Sequence, residues 1–462
     1  MVDLVIRNCK IVIPTAVLDA GIACEDGKIV QISGDAWLPE ADRIIDAKGN
    51  LVLPGVIDSH VHFRELGKTA YQEDWSTGSA AAAVGGATTV FEMPSHVEDQ
   101  YRVRNVDVFN LKSNLAKSKS IVDFGLYGII TSDDLGELSK LAAAGVIGFK
   151  IYLGLSASNT PVPTDGEIVD SFLAVSKTGR RIAVHAENGE IIEHNERRMR
   201  AAGRTDVLAH LESRPDLAEA EAISRVILFS EATGASVQIA HMSSKEGVDL
   251  VVAAKARGLH ISAETAPHYL LLSSHDYTRV GSMIKVNPPV RYKADSERLW
   301  AGLLNGTIDC LGSDHAPYTR EEKVTNDVWA AKSGFIGVET SVPLMLTQVN
   351  ANRLSLEKFV QVTSENAARL FGIYPRKGAL IVGSDCDVTI VDLKKESVIR
   401  SENLHSKNNI TPFEGWKVKG IPIYTIVRGN VVMDHGQIVS KPVGAIVKPN
   451  VNVDRHTFLG SV

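Results

Sequence analysis

The sequence predicts an α/β protein: a (β/α)8 TIM barrel with a small β-sandwich domain built from both ends of the chain. Three observations predict this fold. The middle of the chain alternates short apolar runs with helical periods, as a closed parallel barrel requires. Both ends show strand patterns instead. Isolated polar residues stand where the apolar runs stop, which is where barrel enzymes place their chemistry. The predicted domains are residues 1–52 with 376–462, and residues 53–375.

The two chain ends predict the strands of the accessory domain. Near the N-terminus, alternating runs are separated at Gly27 and Gly49, each of which is followed by a polar residue. Glycine beside a polar residue is a common turn signal between strands. Strand patterns return at 383–392 and 421–433, where Gly429 predicts a hairpin turn. The accessory domain is therefore expected to combine strands from both ends.

The central region predicts the repeating units of the barrel. The segment 182–257 gives a strand, two helices, a strand and a helix, with predicted bounds 182–185, 190–202, 219–233, 237–241 and 247–257. Strands that alternate with helices form parallel sheets, because each helix returns the chain to the same edge. The segment 53–375 is long enough for eight such units.

Composition excludes several classes of protein. The chain has 462 residues and a net charge of −6, without a basic patch interleaved with aromatic residues, so nucleic acid is not an expected partner. No apolar run reaches membrane-spanning length or forms a signal core, so a cytoplasmic location is expected. The widely spaced cysteines are typical of reduced cytosolic thiols: Cys9, Cys24, Cys310 and Cys386.

The most informative local pattern is a pair of histidines on one predicted strand. His60 and His62 follow an apolar run, and the two-residue period of a strand places both side chains on the same face. Such a pair can offer two nitrogens to one metal ion. Taken alone, the pair is equally consistent with two hydrogen-bonded histidines on a half-buried strand. The rest of the chain decides between these alternatives.

Four more polar residues stand at predicted strand ends. Lys150, His185 and His241 each end an apolar run, and Asp314 follows another. One such residue is usually a satisfied core group, and Asp314 alone would be read as a helix cap or ion-pair partner. A buried charge must, however, be paired, neutralised or bound to metal. Because strand ends converge in a barrel, the set as a whole predicts a metal site.

These residues stand in motifs that resemble those of the cyclic amidohydrolases, a family that comprises hydantoinase and dihydropyrimidinase, allantoinase and dihydroorotase. The motifs occur in the family's order and rough spacing, and the resemblance runs nearly from end to end. Each motif alone is weak, but five in order are specific. They are His60-Val-His62, Gly148-Phe-Lys150, His185-Ala-Glu-Asn188, His241-Met-Ser-Ser244 and Ser313-Asp-His-Ala-Pro317.

The resemblance implies a hydrolase with two divalent metal ions, zinc or manganese, bridged by Lys150 in carboxylated form. It also implies that a metal-bridging hydroxide attacks a ring carbonyl. Asp314 would accept the proton and pass it to the leaving ring nitrogen, as general base and then general acid. The implied ligands are His60, His62 and Asp314 for one metal, and His185 and His241 for the other.

Residues next to these ligands are candidates for orienting them. His315 follows Asp314, and it is a candidate for orienting the site. Glu187 and Asn188 follow His185, and they are expected to hold its imidazole rather than to touch substrate.

The resemblance leaves several substrate rings open. Arg64 matches an arginine with which dihydroorotases hold a substrate carboxylate, but Ser95 stands where those enzymes carry an asparagine. Dihydropyrimidinases carry a tyrosine where this chain has Leu155. The segment 411–415 is similar to the corresponding segment of allantoinases, and other segments of the chain are most similar to those of hydantoinases. We predict hydrolysis of hydantoin or a 5-substituted hydantoin to the N-carbamoyl amino acid, with allantoin or dihydroorotate as alternative substrates.

The resemblance implies three substrate contacts: Arg64, Asn287 and, through the backbone near it, Ile336. The loop 154–161 contains Leu155 and no arginine or lysine, so we expect a neutral or apolar group on the ring. Two other classes stay open, namely a non-catalytic assembly protein of the same fold and a deaminase or phosphotriesterase on the same metal scaffold. A homo-oligomer, either a dimer or a tetramer, is also expected.

Overall fold

The computed structural model describes residues 1–131, 135–154 and 159–450 of the chain. In these ranges the strands are β1 (Val2–Arg7), β2 (Lys10–Ile13), β3 (Ala16–Asp19), β4 (Gly21–Glu25), β5 (Lys28–Ser33), β6 (Ala41–Asp46), β7 (Leu51–Pro54), β8 (Val56–Val61), β9 (Ala87–Glu92), β10 (Asp123–Ile129), β11 (Gly148–Tyr152), β12 (Ile182–His185), β13 (Val237–Ile239), β14 (Ile261–Thr265), β15 (Cys310–Leu311), β16 (Val388–Val398), β17 (Lys417–Val427), β18 (Asn430–Asp434) and β19 (Gln437–Ile438). The helices are α1 (Trp75–Val84), α2 (Val106–Lys119), α3 (Leu135–Ala144), α4 (Asp165–Ser176), α5 (Gly189–Ala201), α6 (Val207–Ser213), α7 (Asp216–Thr233), α8 (Lys245–Ala256), α9 (Pro267–Leu271), α10 (Tyr277–Val280), α11 (Lys293–Asn305), α12 (Arg320–Lys323), α13 (Ser341–Asn350), α14 (Leu356–Val360) and α15 (Asn366–Leu370).

Strands β8 to β15 form one eight-stranded sheet in which each strand pairs in parallel with the next along the chain. The sheet closes where the segment after β15 returns to β8. There Val61 and His315 form a parallel bridge, and the His62 N–H donates to the His315 carbonyl at 2.8 Å. The strands are buried and largely apolar, as expected for a sheet covered by helices. The predicted (β/α)8 barrel is confirmed.

The helices around the barrel begin where the sequence supplies caps. Asp74 and Asn105 accept hydrogen bonds from the first-turn backbone of α1 and α2, and Asn188 and Ser244 do the same for α5 and α8. Such side chains satisfy amide groups that have no partner inside the helix. No helix in the described ranges is long and apolar enough to cross a membrane.

Two further sheets contain the strands from the chain ends. One is four-stranded, in the order β5-β4-β1-β6, and the other is seven-stranded, in the order β19-β18-β17-β16-β7-β2-β3. In the second sheet the N-terminal β7 pairs antiparallel with the C-terminal β16, as the sequence predicts. The chain passes from this sheet into the barrel at Gly55, where a Cβ would lie 2.1 Å from Thr88 Oγ1. The boundaries at 52/53 and 375/376 stay a prediction.

The prediction of four reduced cysteines is wrong for two of them. Cys24 on β4 and Cys386, two residues before β16, form a disulfide inside the core between the N-terminal and C-terminal strands. Cys9 and Cys310 are free and buried. The paired cysteines are 362 residues apart, and only the packing of the two chain ends brings them together. Spacing in the sequence therefore gives no sign of the pair.

Candidate metal centre and substrate cavity

A cavity of about 260 Å³ opens at the C-terminal ends of the barrel strands. All the predicted metal ligands and the predicted bridging lysine line this one cavity: His60, His62, Lys150, His185, His241 and Asp314. They come from the ends of five different strands or from the loops that follow them. Parallel strands of a closed barrel end on the same face, so side chains far apart in sequence meet there.

His60, His62 and Asp314 form a compact group. Asp314 Oδ1 lies 3.4 Å from His60 Nε2 and 3.2 Å from His62 Nε2. One ligand atom from each residue lies within 4.8 Å of the others, which is close enough to hold a metal ion. Burial lowers the pKa of His62 to about 3, so this imidazole is neutral and can act as a ligand.

His185 and His241 form a second pair beside this group. His185 Nδ1 lies 3.1 Å from His241 Nε2, and the ring centroids of His60 and His241 are 5.2 Å apart. Both side chains are buried, and burial lowers the pKa of each imidazole. Two neutral imidazoles that face each other at this distance have the chemistry of a metal-binding pair.

Lys150 lines the same cavity in an unusual state for a lysine. Its side chain is fully buried, and its Nζ has no hydrogen-bond partner among the described residues. Burial lowers the pKa of Lys150 to about 8, although Asp314 and Glu264 act in the opposite direction. The neutral fraction near neutral pH is therefore larger than that of an ordinary lysine, and a neutral amine is the form that can react with carbon dioxide.

A carboxylate and a hydroxyl orient the histidines of the first group. Glu264, at the end of β14, lies 2.8 Å from His60 Nδ1, and it also accepts from Ser59 at 2.6 Å. Ser95 Oγ lies 2.8 Å from His62 Nδ1. Sequence reasoning missed Glu264, although it is one more polar residue that ends a strand of the barrel. Such partners fix the tautomer and the direction of a metal-binding imidazole.

Glu187 and Asn188 are both expected to hold the His185 imidazole, but in the structure only Glu187 does so. Glu187 Oε2 lies 2.9 Å from His185 Nε2 and 2.6 Å from an Arg214 nitrogen. Burial opposes ionisation of Glu187, but Arg214 and His185 outweigh it and lower the pKa to about 2. Asn188 instead caps α5, where its side chain accepts from the Ile191 N–H.

The backbone at the site is strained in three places. Asp314, His241 and Arg64 have φ values of 48°, 39° and 49°, a region that side-chain-bearing residues seldom occupy. Strain of this kind clusters at functional sites, where the surrounding structure holds it. Next to them, a Cβ on Gly312 would lie 2.9 Å from the His60 Cβ, so only glycine allows β15 to approach β8 here.

His315 orients the loop that covers this end of the barrel. Its Nδ1 accepts from the N–H groups of Gly337 and Val338, at 3.2 and 3.4 Å. Its Nε2 lies 3.4 Å from Glu73 Oε2. His315 therefore does not face the ligand cluster, and it acts on Asp314 through the backbone between them.

The structure brings two of the three predicted substrate contacts to the cavity. Arg64 and Asn287 line it, whereas Ile336 is buried and is not among the described residues that do so. Ser333, three residues before Ile336, lines the cavity instead. The proposed contact near Ile336 stays a prediction. In the loop 154–161, residues 155–158, which include Leu155, lie outside the described residues.

Several lining residues were not found from the sequence. Tyr152 stands two positions after Lys150 on β11, so strand alternation alone could have placed it in the cavity. Burial raises the pKa of Tyr152 to about 12, which keeps its hydroxyl a hydrogen-bond donor. Lys68, Lys332 and Tyr318 also line the cavity. They come from loops whose sequence has no periodic pattern that would place them there.

A closed parallel barrel whose strand ends bring imidazoles, a carboxylate and a buried lysine into one cavity is the architecture of a metal-dependent barrel enzyme. The sequence profile of the amidohydrolase family matches residues 51–432. The chain belongs to this family.

The most similar proteins span almost the whole chain. L-hydantoinase of Paenarthrobacter aurescens is 40% identical over 95% of this chain and 96% of that protein. An allantoinase of Rubrobacter xylanophilus is 38% identical over 97% of this chain and 98% of that protein. Among solved structures, L-hydantoinase (dihydropyrimidinase) from Arthrobacter aurescens has a TM-score of 0.94 at 39% identity, covering 97% of this chain and 100% of that one. The resemblance inferred from the motifs is confirmed.

Proposed function

We propose that the protein hydrolyses a ring carbon–nitrogen bond of hydantoin or a 5-substituted hydantoin and releases the N-carbamoyl amino acid. The observation that carries this proposal is the convergence of Lys150 with all five other predicted ligands in one cavity. The relatives named as hydantoinases and allantoinases support a hydrolase of cyclic amides, because both names denote ring-opening enzymes acting on such rings.

The donor set fits two divalent ions, with zinc or manganese as the candidates. His60, His62 and Asp314 would hold one ion, and His185 and His241 the other. Lys150, once carboxylated, would bridge them, which accounts for a buried Nζ that has no hydrogen-bond partner in the described chain. When bound, the ions supply Lewis acidity toward the ring carbonyl and a water that ionises near neutral pH.

The protein's own residues then position the ring and move the proton. His60 and a hydrogen bond with His62 hold the pKa of Asp314 well below its usual range, although burial opposes them. Asp314 is therefore ionised and can accept the proton of the attacking water at a carboxylate oxygen. It can then return that proton to the ring nitrogen that leaves. Arg64 and Asn287 line the same cavity and would orient the ring.

Allantoin and dihydroorotate are the alternative substrates. Allantoin contains the same five-membered ring, and an allantoinase is among the most similar relatives. Dihydroorotate carries a carboxylate that Arg64 could pair with. Retention of every predicted ligand in one cavity argues against a non-catalytic assembly protein.

The deciding experiment is a comparison of kcat/KM for hydantoin, 5-substituted hydantoins, allantoin, dihydrouracil and dihydroorotate, with metal per chain measured on the same sample. We expect about two metals per chain and the highest kcat/KM for a hydantoin. A fully active enzyme with a single metal would contradict the bridging role of Lys150. If kcat/KM is highest for allantoin or dihydroorotate, that compound is the substrate in place of a hydantoin. Assembly as a dimer or tetramer, and a cytoplasmic location, stay predictions.

A further inference from the structure

A buried series of hydrogen bonds, which includes the Glu187–Arg214 ion pair, extends from His185 away from the cavity. Glu187 lies between His185 and Arg214, with distances of 2.9 and 2.6 Å. The side chains of Glu187 and Arg214 are 0% and 5% exposed. Arg214 follows the last residue of α6, and its carbonyl accepts from Arg291 at 2.8 Å. A buried ion pair with this geometry holds its members in one arrangement, because separating them would leave a charge without a partner.

The contact between Glu187 and His185 determines which nitrogen of His185 faces the metal site. The Glu187 carboxylate can only accept a hydrogen bond, so the His185 nitrogen beside it, Nε2, carries the proton. The other nitrogen, Nδ1, then presents its lone pair toward His241, 3.1 Å away. An imidazole ligates through the unprotonated nitrogen. The Arg214–Glu187 pair therefore keeps His185 in the form that can bind metal.

Arg214 also lies beside Asn287, a residue that lines the cavity. With the Asn287 amide oriented so that its oxygen faces Arg214, the two groups are 3.3 Å apart. In that orientation the Asn287 nitrogen lies 3.2 Å from Ser333 Oγ and 3.2 Å from His210 Nε2. One guanidinium thus contacts a residue that orients a ligand and a residue that lines the substrate cavity. Arginine suits this role, because its planar fork presents several donors in fixed directions.

We propose that Arg214 is a positioning residue that couples the second metal position to the substrate cavity. Through Glu187 it fixes His185, and through Asn287 it fixes one wall of the cavity. The proposal rests on the metal assignment made above, and it goes beyond that assignment because Arg214 touches neither the ligand cluster nor the ring. It predicts that a single substitution changes both metal affinity and substrate affinity.

The first test measures metal binding without substrate. The full-length chain is treated with chelator and titrated with Zn²⁺, and bound zinc per chain is counted by elemental analysis. Wild-type protein should bind two ions. Arg214→Met should bind the second about 10–100-fold more weakly, the usual effect of removing a partner of a metal-ligating histidine. Two ions with unchanged affinity in folded Arg214→Met would overturn the proposal.

Three further variants keep the test decisive. Arg204→Met is the matched control, because Arg204 pairs with Asp206 at 2.6 Å on the exposed side of α6 and should leave both ions bound. Arg214→Lys keeps the charge but loses the fork, and it should restore zinc affinity in part. If Arg214→Met does not fold, Arg214→Lys and Glu187→Gln decide. Wild-type affinity for both ions in these two variants would overturn the proposal.

The second test separates positioning from general destabilisation. At zinc concentrations that fill both positions in Arg214→Met, KM for hydantoin should rise several-fold more than kcat falls, because Asn287 has lost its partner. An unchanged KM would contradict the link to the cavity. A wild-type protein that binds two ions but opens no cyclic amide would contradict the proposed function, while the zinc titration would still decide the role of Arg214.

Discussion

The ammonium group of Lys377 lies 2.6 Å from Asp387 and 3.0 Å from Asp385, and it also contacts Asp123, in a buried cluster of three carboxylates. Asp123 begins β10 of the barrel, whereas Asp385 and Asp387 precede β16 of the seven-stranded sheet. The cluster therefore joins the barrel to the sheet that contains both chain ends. Arg428 also pairs with Asp123 at 3.0 Å and Lys28 with Asp385 at 2.5 Å, so Lys377 is the cation that all three carboxylates share.

We expect Lys377→Met to destabilise the protein by about 3–5 kcal/mol, because it leaves the buried Asp387 carboxylate without its cation. The measurement is the free energy of unfolding in urea. Lys419→Met is the matched control, since Lys419 pairs with Glu396 on the surface and should cost no more than about 1 kcal/mol. Equal effects for the two substitutions would show that the buried cluster contributes little.

Lys150→Ala should abolish turnover and reduce the metal content, because it removes the proposed bridging ligand. Acetate or propionate should partly restore both, since a small carboxylate can occupy the space left by the side chain. Turnover and metal per chain are measured with and without the added acid. If Lys150→Ala keeps full activity, Lys150 is only a buried cation at a strand end.

Asp314→Asn should lower kcat by about 10²–10⁴-fold, the usual contribution of a general acid–base group. The amide cannot accept the proton of the attacking water, although it occupies nearly the same space. The ion held by His185 and His241 should remain bound, which elemental analysis can verify. Turnover close to that of the wild type would place the proton transfer on a group other than Asp314.

The stability contributed by His405 should depend on pH. Its backbone N–H donates to Glu339 at 2.8 Å, and its Nδ1 lies 3.0 Å from the same carboxylate. The hydrogen bond with Glu339 raises the pKa of His405 despite partial burial. A histidine whose pKa is raised by folding stabilises the protein below its unfolded pKa, and this stabilisation is lost as pH rises through the folded pKa.

We therefore expect His405→Gln to reduce the free energy of unfolding more at about pH 5.5 than at about pH 8.5, on either side of the usual histidine range. Urea unfolding of both proteins at the two pH values measures this difference. Glu339→Gln should remove the same pH dependence. A pH-independent difference between wild type and His405→Gln would mean that the ion pair does not form.

The strand-end rule explains why much of the site could be predicted from the sequence. His60, Lys150 and His185 each interrupt an apolar pattern at the end of a strand, and a barrel brings strand ends together. Glu264 obeys the same rule and could have been found by it. Family resemblance, confirmed by the match over residues 51–432, then assigned roles that spacing alone leaves open.

Contacts between distant segments account for what the sequence could not predict. Cys24 and Cys386 pair across 362 residues, and Lys377 joins Asp123 across 254. Neither pairing leaves a periodic signal, because the first depends on how the two chain ends pack together and the second on how the C-terminal segment packs against the barrel. Arg214 was missed for the same reason, since its two contacts come from other segments of the chain.

We expect the cavity to discriminate against a substrate that carries a carboxylate. Arg64 is buried, donates to Gln72 Oε1 at 3.1 Å, and lies 4.6 Å from the ring centroid of Tyr318. Among the described residues it has no carboxylate partner, so a substrate carboxylate could pair with it. Ser95, which could add a second contact, is already within hydrogen-bond distance of His62. Lys68 and Lys332, which also line the cavity, are exposed, so a carboxylate paired with Arg64 alone would be incompletely paired and penalised by roughly 1–3 kcal/mol. We therefore expect kcat/KM for dihydroorotate to be far below that for hydantoin, and Arg64→Met to leave the hydantoin value little changed. Efficient turnover of dihydroorotate that collapses in Arg64→Met would instead make the carboxylate the recognised group and dihydroorotate the substrate.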